Sequence, residues 1–516
     1  MNFARLLPGL VVAWLAGCAA LPARLPPAES RAFTDVEVAD TRIARAVADS
    51  ALPGALPTLT GIRLLPEAPF SLDARIALAR NAQRSLDVQY YLLANDEVGL
   101  LLLRELRSAA ERGVRVRVIV DDLYNGGDDA LFTAFAAHPN IELRIFNPLP
   151  ARDGGLLARL ALSLHEFGRI NHRMHNKLFI ADNSISVSGG RNIAQEYFMR
   201  ASDANFIDMD VLATGAAVRS QSASFDRYWN SEQVYPIAQL ASASPASRFD
   251  QLTTGSAPEP SPRERDVLDR TSVTQQLGEG RLDLIWTQAQ VFADDPSKIG
   301  RPDFDSRFAG SVTQRTLEVI GSARSRVVII SPYFIPGEIG MGVIKASGDK
   351  GVVTVVLTNS LGATDEPLVY AGYARYRQAM LEQGVVIHEF GPGLSRQTRQ
   401  YGNFGNSTSR LHAKMAVIDG RWMFIGSMNL DGRSASLNTE IGLLIDGGAL
   451  KADFDQLSSD RFTSAYLLRL GPSGDVEWVQ QDEEGRQTVH ANEPGASWLV
   501  AFKNWVLSPF VREEFL

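Results

Sequence analysis

Cysteine is almost missing from this chain: Cys18 is the only one in 516 residues. No disulfide can form within the molecule, so folding must rest on burial and hydrogen bonding. Beyond the first seventeen residues no apolar run reaches the roughly 18 residues that suggest a membrane-spanning helix, and none is expected. A basic excess is lacking as well. Lys and Arg total 51 against 59 Asp and Glu, a net charge of −8, whereas nucleic-acid binders carry a basic balance or stripe. The balance argues mildly against nucleic acid as a partner. Histidine is scarce, with seven in the chain. Apart from His172 and His175 their positions offer no metal-ligand spacing, so neither a metal nor a cofactor is expected. What remains is ordinary: 45% apolar and 21% charged residues, enough for a sizeable core in more than one domain or in a large duplicated one.

Two stretches stand out, and they are copies of each other. His175-Asn176-Lys177-Leu178-Phe179-Ile180-Ala181-Asp182 is followed by Gly189-Gly190-Arg191-Asn192. His412-Ala413-Lys414-Met415-Ala416-Val417-Ile418-Asp419 is followed by Gly426-Ser427-Met428-Asn429. His, Lys, Asp, Gly and Asn recur in register, each 237 positions after its counterpart. One His-x-Lys is noise, but five positions repeated together are a signal.

Each copy predicts a strand, a tight turn and a second strand. Side chains alternate along a strand, so His175 and Lys177 share a face, as do His412 and Lys414. Asp182 and Asp419 lie seven positions beyond their histidines. That odd offset predicts the opposite face and a role in supporting the fold. Some other group must then orient each imidazole. Aligning Gly215 with Gly447 sets Asp208 opposite Glu440, each at the head of an apolar strand. These two carboxylates are the candidates for fixing the imidazole tautomers.

The chemistry such residues offer is phosphoryl transfer in two steps. An imidazole can attack phosphorus and form a phosphohistidine, while a second one protonates the leaving alcohol and later activates the acceptor. Two lysines and two asparagines, Lys177, Lys414, Asn192 and Asn429, can hold the phosphoryl oxygens. Each copy supplies half a site, so the lobes must face each other.

The H-x-K-x4-D pattern resembles that of the phospholipase D superfamily. Leu86-Asp87-Val88-Gln89-Tyr90-Tyr91, Thr358-Asn359-Ser360-Leu361 and Asn438-Thr439-Glu440, with the motifs themselves, resemble bacterial cardiolipin synthases of the C type over about residues 70–505. The resemblance implies an α/β fold of two homologous lobes, each a mixed β-sheet flanked by helices, forming a pseudo-twofold intrachain dimer. It implies phosphatidyl transfer to phosphatidylglycerol from a second phospholipid, such as phosphatidylethanolamine, making cardiolipin. His175 is then the nucleophile and His412 the general acid–base. The superfamily motif also keeps Asp182 and Asp419 among the site residues, at lower weight. A phospholipase D handing the same intermediate to water, or another phosphodiesterase, is the enzymatic alternative. A non-catalytic envelope lipoprotein is the other. Apolar segments 90–93 and 333–335 are expected to keep water scarce at the site. No obligate oligomer is required.

Repetition extends past the motifs. Predicted strands at 85–92, 114–120 and 141–146, with helices at 71–85 and 98–112, recur as strands at 325–332, 351–357 and 385–390. The expected division is a signal peptide at 1–17, a tether and N-terminal segment at 18–60, a first lobe at 61–235, a linker at 236–280, a second lobe at 281–465 and a C-terminal extension at 466–516. Residues 241–264, rich in Ser, Pro, Ala and Thr, predict a flexible surface stretch. Arg5 and the apolar stretch 6–15 form a secretory leader, and Leu15-Ala16-Gly17-Cys18 resembles the bacterial lipoprotein cleavage box. Lipidation at Cys18 would give a lipid-anchored, periplasm-facing envelope protein at a membrane surface, with the outer membrane expected because Ala19, not Asp, follows. Trp498, Phe502 and Trp505 predict one apolar face of a short C-terminal helix, packed on the second lobe or lying on a bilayer.

Overall fold

In the first copy the parallel neighbours Ser85–Tyr90, Arg115–Asp121 and Ile141–Phe146 form half a sheet. The computed structural model describes residues 20–54, 56–254, 260–391, 407–463, 465–482, 484–496 and 513. The leader, Cys18, Trp498, Phe502 and Trp505 lie outside the described residues. Helix Ala68–Asn81 precedes the first strand and is buried along most of its length, as its Ala- and Leu-rich sequence requires. Helix Glu97–Glu111 is capped by the Asp96 carboxylate, which accepts from the N–H groups of Val98 and Gly99. The motif strand Lys177–Ala181 runs antiparallel to Ser85–Tyr90 and turns back as Ile185–Gly189. Asp210–Gly215 follows, then Thr60–Leu65, to build a nine-stranded mixed sheet.

The second copy repeats this order. Arg326–Ile330, Val353–Asn359 and Val386–Phe390 are parallel, and Met415–Ile418, Trp422–Gly426 and Ile441–Asp446 continue antiparallel. Ala289–Ala293 takes the place that Thr60–Leu65 holds in the first sheet. Ala465–Leu470, Val476–Gln481 and Gln487–His490 extend this sheet to ten strands, so the described part of the C-terminal extension belongs to its edge.

One face of each sheet meets the other in a shared core, with Ile62, Met209 and Val211 from the first beside Val328, Leu357 and Ile425 from the second. The outer faces carry helices, Ala68–Asn81 and Glu97–Glu111 on one side, Val312–Gly321 and Gly337–Gly348 on the other. The chain passes between sheets at Gln288, between Ile285–Thr287 in the first and Ala289–Ala293 in the second. Much of the stretch expected to link the lobes packs on the first. Phe249, Val273 and Leu277 are buried in its core, and Asp73 accepts from Thr274 Oγ1 at 2.6 Å.

Candidate active site

Each motif histidine sits just ahead of its strand, where the two lobes touch. Arg173–Met174 pairs in parallel with Asn438–Thr439 of the second lobe. Thr408–Leu411 pairs in parallel with Ala204–Ile207 of the first. The N–H of His175 then donates to Thr439 O at 2.9 Å, and that of His412 to Ile207 O at 2.7 Å. Thr439 precedes Glu440 and Ile207 precedes Asp208, so each histidine is delivered to a carboxylate of the opposite lobe. His175 Nδ1 lies 2.9 Å from Glu440 Oε2, and His412 Nδ1 lies 2.6 Å from Asp208 Oδ2. In sequence register the two carboxylates belong to their own copies; the fold exchanges them. An Nδ1–H donated to the carboxylate puts the lone pair on Nε2; at His412 that nitrogen lies 3.1 Å from Lys414 Nζ.

Lys177 Nζ donates to His175 O at 2.7 Å, and Lys414 Nζ to His412 O at 2.6 Å. Asn192 Nδ2 donates to the Tyr197 hydroxyl at 2.9 Å, while the buried Asn429 Oδ1 has no protein partner. Both histidines and both asparagines line one cavity of about 700 Å³. Tyr91 meets His175 edge-on, with ring centres 5.1 Å apart, and Tyr197 meets His412 at 5.0 Å.

Asp182 and Asp419 are not brought to this cavity, which corrects their place among the site residues. Asp182 accepts from the N–H groups of Gln83, Arg84 and Ser85, fixing the turn from helix to strand. Asp419 does the same for Arg324, Ser325 and Arg326. The seven-residue offset predicted the opposite face and a role in the fold, and each carboxylate binds the backbone leading into the strand Ser85–Tyr90 or Arg326–Ile330.

Burial dominates the electrostatics. It holds His175 well below the ordinary histidine value, with Lys177 and Lys414 adding to the effect. His412 is lowered by burial and then by Lys414, with Asp208 pulling the other way. Burial brings Lys414 down to about 8 and Lys177 well below the usual lysine range. Glu440 is pushed up to about 7 by burial, against Lys177 and the Ser427 and Ser434 hydroxyls. For Asp208 burial pushes upward, but His412 and Lys414 outweigh it and leave the carboxyl below its ordinary value.

Of the expected apolar walls, Tyr91, Leu92 and Tyr333 line the cavity. Tyr90 turns away, accepting from Arg75 Nε at 2.8 Å. Phe334 and Ile335 line a separate apolar cavity of about 320 Å³ in the second lobe. Sequence reasoning missed Asn438, whose buried Oδ1 is unpartnered, and Arg433, Asp365 and Glu366, all on the cavity wall. It also missed Leu160, Leu164 and Phe167 there, although with Leu157 they recur at helical spacing, which was a usable signal. Among the described residues, no three or more His, Cys, Asp or Glu side chains converge as a metal site.

Chemically the arrangement offers two imidazoles on one cavity, each steadied by a carboxylate of the opposite lobe and backed by a lysine. The chain belongs to the family described as cardiolipin synthase, PLD-like domain, which matches residues 76–229 and 316–460. Cardiolipin synthase C of Escherichia coli (strain K12) is 35% identical over 453 residues, 86% of this chain and 93% of that one. A cardiolipin synthase of Staphylococcus aureus (strain Mu50 / ATCC 700699) is 24% identical, over 82% of this chain and 69% of its own. Among solved structures, phosphatidylserine synthase of Haemophilus influenzae Rd KW20 superposes with a TM-score of 0.55 at 14% identity, over 92% of this chain and 100% of that one. At that identity the likeness concerns the fold alone.

Proposed function

We propose that the protein is a phosphatidyltransferase that makes cardiolipin from phosphatidylglycerol and a second phospholipid through a phosphohistidine. The observation that carries this is the crossed pairing, His175 with Glu440 and His412 with Asp208, at one cavity. In the first step His175 Nε2 bonds to phosphorus as the bond to the head-group oxygen breaks, and His412 gives that oxygen its proton. In the second, the terminal hydroxyl of phosphatidylglycerol gives its proton to His412 and bonds to phosphorus as the P–N bond breaks. An ionised Asp208 favours the imidazolium on His412, the acid. Burial and Lys177 favour a neutral His175, the nucleophile. A bound phosphodiester would favour the charged forms of Lys177 and Lys414, which with Asn192 and Asn429 would stabilise the charge developing on the phosphoryl oxygens.

The lobe and linker boundaries at 61–235, 236–280 and 281–465, lipidation at Cys18 and a place on the periplasmic side of the outer membrane belong to the same proposal. The test is product analysis with full-length protein in vesicles of phosphatidylglycerol, with and without phosphatidylethanolamine. Cardiolipin is the expected product. Phosphatidic acid as the main product across a range of phosphatidylglycerol contents would make the protein a phospholipase D instead.

A further inference from the structure

The rim of the cavity is apolar on its outer side, which phosphoryl chemistry does not require. Leu156–Leu162 is a helix, continued by the turn Leu164–Glu166 and the short helix Phe167–Ile170. Inward, this segment is fastened by Arg159, fully buried, whose guanidinium donates to Asp122 Oδ2 at 2.7 Å and to Ala151 O at 3.1 Å. Outward, Leu157 is 83% exposed, Leu164 60%, Phe167 47% and Leu162 38%. Four large apolar side chains thus open to solvent within eleven residues, and no other stretch of that length among the described residues carries more than two. Leu164 and Phe167 also line the cavity, as do the exposed Tyr124 and, from the second lobe, Leu368. An apolar patch of this density on an ordered scaffold marks a contact surface. Of the two arginines in residues 156–170, Arg159 is buried on Asp122 and Arg169 is committed to Glu166 and Pro148 O, so the attraction this segment offers is apolar rather than electrostatic.

A second observation says what covers it. Arg24 donates to Val234 O and Ser231 O, Arg144 to Ala28 O, and Asn183 Nδ2 to Phe33 O. Val234 pairs with Phe146, which lies level with Asp121, just ahead of the cavity residues Leu123 and Tyr124. Asn183 is in the turn at the opposite end of the sheet. Between residues 24 and 33 the chain therefore descends from the cavity side to the far side. It enters the described region on the same side as the apolar rim.

We propose that residues 156–170, with Tyr124 and Leu368, form the face by which the protein sits on a phospholipid bilayer. The cavity mouth then meets the lipid surface, and a head group enters while its acyl chains stay in the membrane. This rests on the phospholipid reading above, and the test separates the two. Full-length Leu157→Cys and Val36→Cys proteins are labelled with a fluorophore and placed in phosphatidylglycerol–phosphatidylethanolamine vesicles carrying a lipid-bound quencher. Labelled wild type supplies the Cys18 background. Val36 is 87% exposed, near Phe33 at the far end of the sheet. Quenching at 157 should exceed that at 36 at least threefold; equal quenching overturns the proposal, and so does disulfide-linked dimerisation through Cys at 157, which would make the rim a contact between copies. Independently, Leu157→Asp with Leu162→Asp, neither on the cavity wall, should cut turnover of vesicle phosphatidylglycerol at least fivefold and leave that of a monomeric short-chain analogue within twofold. Equal loss on both substrates overturns it. If wild type turns over neither lipid while position 157 is still quenched, the docking face stands and the transferase reading falls.

Discussion

His175 is held by a glutamate and His412 by an aspartate, and the surroundings of these carboxylates differ by more than one methylene. Glu440 accepts from the hydroxyls of Ser427 and Ser434, yet burial still pushes it up to about 7. The residue matching Ser427 in the first copy is Gly190, and a Cβ there would lie 2.1 Å from Asp208 Oδ1. Asp208 packs against bare backbone, takes the N–H of Met209 at 2.7 Å, and remains below the ordinary aspartate range. One plan, duplicated, has thus been given two electrostatic settings. Both imidazoles lie below the ordinary histidine value, the first well below it and the second less far, because Asp208 pulls upward on it. In the proposed cycle those are the nucleophile and the acid, so the division of labour follows from the carboxylates rather than from the motif, which is the same in both lobes.

The harshest way to break the comparison is to remove either ring. His175→Asn and His412→Asn should each lower kcat by about a thousandfold or more, since neither half-site completes the cycle alone. Substantial cardiolipin from either variant would refute the two-histidine scheme. Next comes Gly190→Ser, which copies the second lobe's residue into the first. Asp208 must then move off His412, and kcat should fall about a hundredfold, in keeping with roughly 3 kcal/mol for breaking a buried charge pair. Ser427→Ala only deletes one donor to Glu440 and should cost less than about tenfold.

The same serine sharpens the pH dependence. Glu440 must be ionised to accept the Nδ1–H of His175; protonated, it would donate instead and leave the hydrogen on Nε2. Turnover should therefore fall as pH drops through about 7. Ser427→Ala, which removes an interaction favouring the ionised form, should move that limb upward, as a kcat–pH profile would reveal. Smallest on activity are Asp182→Asn and Asp419→Asn, expected within about threefold of wild type, with the loss appearing in denaturant unfolding. Asp182 is fully buried, and its removal should cost roughly 1–3 kcal/mol; the exposed Asp419 should cost less. At Asp419 burial pushes upward, but the N–H groups of Arg326, Ser325 and Arg324 together outweigh it and hold the carboxyl at about 2 against an ordinary 3.8. Its folded value is depressed, so its contribution is complete above about pH 4 and is lost as pH falls through 2.

Much of this was legible in the chain. Strand alternation placed Asp182 and Asp419 away from the histidines, and the register of Gly215 with Gly447 picked out Asp208 and Glu440. The exchange of those carboxylates was not legible, because spacing within one copy carries no information about which lobe supplies a partner. That depends on the parallel pairings of Asn438–Thr439 with Arg173–Met174 and of Ala204–Ile207 with Thr408–Leu411, segments of two to four residues with no periodicity to read. Thr60–Leu65 went unread because it is buried on every residue, so no polar alternation marks it. Leu157, Leu162, Leu164 and Phe167 are residue types that most often enter a core, and only their exposure sets them apart.

The most direct test of the unequal half-sites is to find the phosphatidyl group. Full-length protein is mixed with phosphatidylglycerol vesicles, denatured at alkaline pH within the first turnover, and mapped by peptide mass spectrometry. The phosphatidyl adduct should appear on the peptide containing His175, with His412 unmodified. An adduct on His412 with His175 free would contradict the assignment of nucleophile and acid to the two carboxylate settings.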